Sequence, residues 1–205
     1  MAKPTWLSLN PTTGSGNGTI VNTGTKHTGR VAREGTVTVT AVGVSTPKTY
    51  KVTQKPKAEF VEFTNGPEMA CNKEAGTLSI TGKSNSSKLT FAFVGESYEV
   101  TLPATYTAAG KKTNNGTAIA DDPGATAEYE FAIELSIPVN DTVDEINRTL
   151  KVTANGAQAA QIAIKQSAGD ARIELEGLTD GGIVLEADGT AVSVDVVSNT
   201  TWTVS

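Results

Sequence analysis

The stretch Gly35-Thr-Val-Thr-Val-Thr-Ala-Val-Gly43 alternates apolar and polar side chains, and a similar alternation returns at Arg148-Thr-Leu-Lys-Val-Thr-Ala-Asn-Gly156. A second matching pair of runs follows, Tyr50–Gln54 and Ile162–Gln166, whose closing glutamines at 54 and 166 are 112 residues apart. A period of two is typical of a half-buried strand, and two such runs joined by a turn predict a hairpin. The chain therefore contains two copies of a strand–turn–strand unit.

The regions that follow these two hairpins also resemble each other in order and spacing. The matching pairs are Glu59–Phe63 with Arg172–Leu175, Gly76–Thr81 with Gly189–Val194, and Ser84-Asn85 with Ser198-Asn199. In the middle of the chain, the front half of a domain thus precedes its back half. In the outer unit, the back half comes first in the chain and the front half comes last.

This order predicts an all-β protein of two immunoglobulin-like β-sandwich domains. One domain is contiguous over 57–170, and the other is split between 1–56 and 171–205. Short strands separated by Gly- and Asn-rich turns, such as Asn155-Gly156 and Asp180-Gly-Gly182, favour antiparallel sandwiches.

Two segments of the middle domain depart from the strand pattern. The stretch from Thr105 to Ala127 is longer and more polar than a hairpin needs, so we predict an exposed loop there. A short helix is predicted from Thr142 to Ile146, with Asp141 as its N-cap.

The split domain can be completed in two ways. The two ends of one molecule can meet, which makes the domain a circular permutant, or 171–205 of one copy can pair with 1–56 of a neighbour. Half a sandwich exposes unpaired strand edges and apolar faces, so a partner must fill it. We favour closure within one chain, because the linkers near Lys55-Pro-Lys57 and Ser167–Asp170 are short and raise the effective concentration of the two halves.

The charge balance excludes several classes of partner. The net charge is −5, whereas nucleic-acid binding needs clustered Lys and Arg to neutralise phosphates. The same balance argues against an anionic membrane surface. No run approaches the 18 or so apolar residues of a membrane span, and the first residues lack the apolar core of a signal peptide. We therefore expect no nucleic-acid partner, no membrane partner and no export signal.

Candidate nucleophiles and bases are few. His27 is the only histidine and lies in a Gly-, Thr- and Lys-rich segment, which favours an exposed loop residue over a catalytic base. Cys71 is the only cysteine, so an internal disulfide is excluded, and its strand-rich surroundings favour a buried apolar role. No catalytic motif is found, and we predict that the protein is not an enzyme.

Carboxylates cluster at Asp121-Asp122 and at Asp141-Thr-Val-Asp144-Glu145. Oxygen ligands of this kind can bind calcium, but neither cluster has the spacing of a known binding loop. We interpret them as solvated turn residues. The Gly14-Ser-Gly-Asn-Gly18 segment has no Lys/Ser pair and no following helix, which favours a turn over a phosphate loop. We expect no metal site and no cofactor.

Trp6 and Trp202 are the only tryptophans, and they belong to the two halves of the split domain. We predict that they lie at the seam between these halves, in the core or between the joined segments. An exposed tryptophan can also stack on a sugar ring. Trp6 and Trp202 are therefore also the candidate glycan contacts, the alternative to the seam role.

The split domain resembles the BACON domain, an immunoglobulin-like module of Bacteroidetes proteins and their phages. The resemblance is carried by Ser198–Ser205 with its Trp-Thr-Val, by Trp6–Gly18 with its Gly-Ser-Gly-Asn-Gly turn, by Arg33–Thr40 and by Val52-Thr-Gln54. The middle domain resembles it less, since it keeps Arg148 and Gln166 but has no tryptophan. The family implies a fold and a setting, with members in secreted Bacteroidetes proteins and in virion proteins of crAss-like phages.

The resemblance implies a structural virion protein, an auxiliary or decoration protein on a bacteriophage capsid, which is assembled in the bacterial cytoplasm. It would act by protein–protein binding with the major capsid protein, with other virion proteins or with other copies of itself through its termini. The alternative is a carbohydrate-binding or spacer module on a bacterial surface or a phage fibre.

Overall fold

A computed structural model of the chain describes residues 3–178 and 182–205 and consists of strands and turns. The strands are β1 (Leu7–Asn10), β2 (Val21–Gly24), β3 (Arg33–Val39), β4 (Lys48–Gln54), β5 (Val61–Phe63), β6 (Glu68–Cys71), β7 (Gly76–Ser84), β8 (Leu89–Phe93), β9 (Thr105–Ala108), β10 (Lys111–Asn114), β11 (Tyr129–Ile137), β12 (Ile146–Ala154), β13 (Ala159–Gln166), β14 (Ile173–Glu176) and β15 (Asp195–Ser198). Within these ranges, one 3₁₀ turn at Pro123–Ala125 is the single helical segment. The prediction of an all-β protein is confirmed.

The middle of the chain forms a sandwich of two sheets. One sheet has the order β10-β9-β11-β7-β5 and the other β6-β13-β12-β8. The longest pairing joins β7 and β11 over nine residues, from Gly76 opposite Ile137 to Ser84 opposite Tyr129. The pattern Tyr-Glu-Phe-Ala-Ile-Glu-Leu-Ser-Ile places every second side chain of β11 in the interior, as a period of two requires.

The core of this sandwich is one cluster of aromatic and aliphatic side chains. Phe91 lies 5.7 Å from Phe131 and 5.0 Å from Tyr106 between ring centroids, in edge-on or tilted arrangements that aromatic rings favour. The fully buried aliphatic residues that surround these rings come from both sheets: Ile80, Leu89, Ile133, Leu135, Leu150, Val152, Ile162 and Ile164.

The other strands form three separate two-stranded sheets. Residues 3–56, here called the N-terminal half-domain, contain the hairpins β1–β2 and β3–β4, which bury Leu7 and Val37. The described residues of 171–205, here called the C-terminal segment, contain the pair β14–β15. Neither unit has the second complete layer that covers a sandwich core.

The two outer units lie at opposite ends of the middle sandwich. The N-terminal half-domain contacts it at Asn85 and Glu128, next to the Ser84–Tyr129 end of the long strand pair. The C-terminal segment contacts it at Asp141, close to the Gly76–Ile137 end. Nine-residue strands at about 3.3 Å per residue separate these ends by about 27 Å. In this structure the two ends of the chain therefore do not meet, in contrast to the closure within one chain that the sequence analysis favoured.

The predictions for two segments of the middle domain are wrong. The supposed exposed loop from Thr105 to Ala127 contains β9, β10 and the 3₁₀ turn, and its Tyr106 and Ile119 are buried. Polar residues alternate with apolar ones in β9, as in a half-buried strand, and β9 pairs with both β10 and β11. The supposed helix from Thr142 to Ile146 is a bend that leads into β12, and Asp141 caps no helix. The predicted turn at Asp180-Gly-Gly182 includes residues outside the described ranges.

Candidate functional site: two equivalent junctions and their open half-domains

At the first junction, the side chain of Asn85 joins the N-terminal half-domain to the middle sandwich. Its Nδ2 donates to the carbonyl oxygens of Thr28 (3.1 Å) and Ala58 (3.2 Å), and its Oδ1 accepts from the Phe60 amide (2.9 Å). The preceding Ser84 donates its hydroxyl to the Phe60 carbonyl oxygen at 2.7 Å. Asn85 is fully buried, so these bonds satisfy an amide that has no access to water.

At the second junction, Asn199 joins the middle sandwich to the C-terminal segment in the same way. Its Nδ2 donates to the carbonyl oxygens of Asp141 (2.7 Å) and Asp170 (2.8 Å), and its Oδ1 accepts from the Arg172 amide (2.9 Å). Ser198 donates its hydroxyl to the Arg172 carbonyl oxygen at 2.9 Å. The repeated Ser-Asn dipeptide was visible in the sequence, but its role as a connector was not.

The strand register shows that these junctions are equivalent. In β5–β7, Val61 lies opposite Ser84, and in β14–β15, Ile173 lies opposite Ser198. This register places Asn199 114 residues after Asn85. Counted back from this register without a gap, Gly76 corresponds to Thr190, which lies before β15 and directly after the predicted match Gly189. The same count aligns Val192 and Val194 with Leu78 and Ile80 of β7.

The glutamines that close the two hairpins have the same surroundings. Gln54 Nε2 donates to the Thr25 carbonyl oxygen at 2.9 Å, and Gln166 Nε2 donates to the Pro138 carbonyl oxygen at 2.7 Å. The strand pairing repeats as well, since Arg33 faces Gln54 where Ile146 faces Gln166. The hairpins β3–β4 and β12–β13 therefore share one pairing register, as the internal repeat predicts.

An arginine binds each glutamine from a different strand position. Arg33 Nε donates to Gln54 Oε1 at 2.9 Å, and Arg148 Nη1 donates to Gln166 Oε1 at 3.0 Å. Arg33 lies directly opposite its glutamine, whereas Arg148 lies two residues beyond Ile146, the residue opposite Gln166. It is buried, and this burial lowers the pKa of its guanidinium, whose remaining donors reach the carbonyl oxygens of Ser97 and Tyr98.

The structure places Trp6 and Trp202 apart. The Arg33 guanidinium lies 4.7 Å from the centroid of the Trp6 ring, and in the middle sandwich the Arg148 guanidinium lies 5.7 Å from the centroid of the Tyr98 ring. One face of Trp6 is thus covered by a cation within its own half-domain. Trp202 is 49% exposed in the C-terminal segment at the other end of the molecule.

His27 occupies the place of Asn140 in the loop of the first junction. His27 Nε2 lies 2.7 Å from the Val31 carbonyl oxygen, and Asn140 Nδ2 donates to the Asp144 carbonyl oxygen at 2.8 Å. Both side chains close a loop over four residues. The side chain of His27 is half-buried rather than exposed, and this structural role differs from the open loop that the sequence predicted.

Ionic contacts reinforce the first junction. Arg30 pairs with Asp122, and Lys57 Nζ lies 3.2 Å from Glu128 Oε2. The backbone amide of Arg30 also donates to the Gly124 carbonyl oxygen at 3.0 Å. One of the predicted solvated carboxylates, Asp122, is therefore a connector between units.

Asp121 and Cys71 lie in different parts of the middle sandwich. Asp121 binds Lys111 at 2.5 Å, and this neighbour lowers the pKa of the carboxyl. Cys71 is half-buried on the edge strand β6, and its burial raises the pKa of the thiol. Within residues 3–178 and 182–205, no group of three or more His, Cys, Asp or Glu side chains is placed to hold a metal ion. In the same ranges, no helix is long and apolar enough to cross a membrane.

The half-domains expose apolar residues whose counterparts in the middle sandwich are covered. Ile173 is 56% exposed, whereas its counterpart Val61 is 8% exposed. Val39 is 40% exposed, whereas its counterpart Val152 is fully buried. In the described part of the chain, β2 and β3 each pair with another strand along one edge only. Their counterparts in the middle sandwich, β11 and β12, pair with other strands along both edges. The open edges and the exposed apolar residues therefore coincide.

No protein-family model matches the chain, and no curated protein matches it. Several solved structures resemble it at low identity. A Bacteroides ovatus GH5 xyloglucanase in complex with a XXXG heptasaccharide is 15% identical over 62% of this chain and 21% of that one, with a TM-score of 0.35. A Bacteroides thetaiotaomicron protein solved by NMR is 17% identical over 55% of this chain and 91% of that one, with a TM-score of 0.29.

Cadherin domains are also among the similar structures. Human CDH23 EC21-23 is 11% identical over 84% of this chain and 59% of that one, with a TM-score of 0.40. The chain spans about a fifth of the xyloglucanase that it matches, at 21% of its length. The similar structures thus include cadherin-like immunoglobulin-type β-sandwich domains and, separately, proteins from Bacteroides.

Proposed function

We propose that this chain is a structural protein that acts by protein–protein binding, as an auxiliary or decoration protein on a bacteriophage capsid. The observation that supports it is the pair of equivalent junctions at Asn85 and Asn199, which connect successive immunoglobulin-like units in a fixed way. The apolar edges of the two outer units are binding surfaces for other protein segments. Binding of this kind needs shape and strand pairing rather than a reactive group.

The virion setting is supported by the BACON-like residues of the outer units. Trp6–Gly18 and Ser198–Ser205 carry that resemblance, and BACON-like domains occur in virion proteins of crAss-like phages. The major capsid protein is the expected partner on the particle. The net charge of −5 agrees with a protein partner rather than a nucleic-acid one.

Fractionation of a culture that produces the protein tests whether the protein is part of the virion. An antibody against the chain would be used on density-gradient fractions that separate genome-filled particles from free protein and from cell envelopes. We expect the chain to migrate with the particles and to stay with them after a salt wash. Recovery only with envelopes or as free protein would overturn the virion setting.

The second candidate function is carbohydrate binding, and the half-exposed Trp202 is the observation that favours it. An exposed indole ring can stack on a sugar face, whereas the Trp6 ring already carries Arg33. A glycan array would be compared for the wild-type chain and for Trp202→Ala. Saturable binding that Trp202→Ala abolishes would support this candidate, and no binding by either protein would remove it.

A further inference from the structure

Four Asn-Gly dipeptides occur in the chain, and they begin at Asn17, Asn65, Asn115 and Asn155. In such a dipeptide the glycine nitrogen can attack the side-chain carbonyl carbon of the asparagine, because glycine has no side chain to hinder the approach and its backbone bends easily. The reaction needs an asparagine side chain that can turn toward this nitrogen. The structure separates the four dipeptides by this criterion.

The side chain of Asn115 is held in place. Its Oδ1 accepts from the Phe91 amide at 2.8 Å and its Nδ2 donates to the Phe91 carbonyl oxygen at 3.0 Å, as a neighbouring strand would. The nitrogen that would attack, that of Gly116, donates to the Leu89 carbonyl oxygen at 3.0 Å. Three hydrogen bonds therefore have to break before Asn115 can react.

The side chain of Asn65 is also held, through its oxygen. Asn65 Oδ1 accepts from the Thr81 amide at 2.6 Å and from the Thr81 hydroxyl at 3.1 Å. These bonds keep the side chain on β7 and away from Gly66, so Asn65 should react slowly in the folded chain.

Asn155 and Gly156 lie in the exposed turn between β12 and β13 and are not held in this way. The turn is closed by the Ala157 amide, which donates to the Ala154 carbonyl oxygen at 3.1 Å. Among the hydrogen bonds of the described residues, none involves the side chain of Asn155 or the nitrogen of Gly156. Both reacting groups are therefore available while the sandwich stays folded.

We propose that Asn155 is a site of self-modification, at which the folded chain converts its own side-chain amide to a carboxylate through a cyclic imide. The Gly156 nitrogen loses its proton to solvent and forms a bond with Cγ of Asn155. The side-chain nitrogen takes up a proton and leaves as ammonia. Water then opens the imide at one of its two carbonyl carbons, which gives aspartate or isoaspartate.

The product changes a turn that lies beside the first junction. The Asn155 backbone amide donates to Ser86 Oγ at 2.9 Å, and Ser86 follows the connector Asn85. Glu59 lies against the same turn, since its Oε2 would be 2.3 Å from a Cβ atom at Gly156. Either product adds a negative charge to a turn that already faces this carboxylate, and isoaspartate also lengthens the main chain by one atom. Because like charges repel, the modified chain should be less stable.

Site-resolved mass spectrometry of the full chain tests this proposal. The chain would be incubated at mildly alkaline pH below its unfolding temperature, and conversion would be followed at each dipeptide, with an isoaspartate-specific methyltransferase to identify that product. We expect Asn155 to convert at least about tenfold faster than Asn115, a factor that corresponds to about 1.4 kcal/mol. In urea at a concentration that unfolds the chain, the two rates should become similar, because the bonds that hold Asn115 are then broken.

Asn155→Gln is the matched control. Glutamine keeps the amide, but its longer side chain would have to close a larger and less favourable ring. This variant should show no conversion at position 155 and an unchanged rate at the exposed Asn17. After incubation, the urea midpoint should fall more for the wild-type chain than for Asn155→Gln.

Equal rates at Asn115 and Asn155 in the folded chain would overturn the proposal. Conversion of Asn155 only in urea would overturn it as well, because the turn would then be protected by the fold. A wild-type chain that is modified at Asn155 but loses no more stability than Asn155→Gln would overturn the predicted effect on the turn.

Discussion

Asn85 and Asn199, which stand 114 residues apart, make the same set of hydrogen bonds at two successive junctions. Each amide donates to two carbonyl oxygens, one from the preceding unit and one from the linker, and accepts one backbone amide. The junction is thus a repeated part of the structure. A connection made by one side chain with three partners restrains rotation between units more than a linker alone does.

Replacement of Asn85 tests the first junction. Asn85→Ala leaves the Phe60 amide and the Thr28 carbonyl oxygen without their side-chain partner at a fully buried position. We expect a loss of about 2–3 kcal/mol in the free energy of unfolding, measured with urea. Asn65→Ala is the control, because its Oδ1 accepts from the Thr81 amide in an exposed loop and its loss should cost less than about 1 kcal/mol. Equal losses for the two variants would contradict the connector role.

Gln166→Leu tests the buried Arg148–Gln166 pair. The substitution removes the amide that binds the buried guanidinium and the donor to the Pro138 carbonyl oxygen. We expect a loss of about 2–4 kcal/mol in unfolding free energy. Gln54→Leu removes the same bonds in the open half-domain, where water can replace them, and should cost about 1 kcal/mol or less. A larger loss of unfolding free energy for Gln54→Leu than for Gln166→Leu would contradict this prediction and would make the Arg33–Gln54 pair the more stabilising one.

The stability should fall in strongly alkaline solution because of Tyr129. Burial raises the pKa of its phenol above the ordinary value of about 10, so the folded chain keeps a proton that the unfolded chain releases. The contribution is complete below about pH 10 and decreases as the pH rises further. Tyr129→Phe should reduce this slope, and should cost about 1 kcal/mol near pH 7 through the lost bond to the Ser86 carbonyl oxygen. Stability curves that stay parallel above pH 10 would disprove this assignment.

Gly82→Ala should destabilise the middle sandwich, because a Cβ atom there would overlap the Phe131 ring and the Glu62 carbonyl oxygen. Overpacking of this kind costs about 1–3 kcal/mol, measured by thermal or urea unfolding. Gly76→Ala on the same strand is the matched control, since nothing lies within 4 Å of its added Cβ atom. A similar loss for both variants would indicate a backbone effect in place of overpacking.

The repeat was predictable from the sequence because its strands alternate with a period of two. Gly35–Gly43 and Arg148–Gly156 match strongly enough to fix the hairpins, and their pairing register is the same in the structure. The hairpin of β9 and β10 was missed because its inward residues, Tyr106 and Ala108, are interrupted by polar neighbours. A short apolar signal of this kind is ambiguous until a sheet edge is available to receive it.

The site was only partly predictable. The Ser-Asn dipeptides marked equivalent positions, but no local pattern tells that Asn85 reaches the carbonyl oxygen of Thr28, 57 residues earlier in the chain. The relation between Trp6 and Trp202 was inferred from the order of the halves alone. The placement of the halves at opposite ends depends on the middle sandwich, whose length the repeat does not encode.

The direction of β7 and β11 has a mechanical consequence. Both strands run from one junction to the other and pair along nine residues. A pull on the two ends of the molecule would therefore act along these strands and strain all their hydrogen bonds together, in shear, instead of opening them one after another. Under tension, the junction amides of Asn85 and Asn199 should yield before the sandwich does. A chain of such units would lengthen first by bending and separating at its joints, while each domain stays folded.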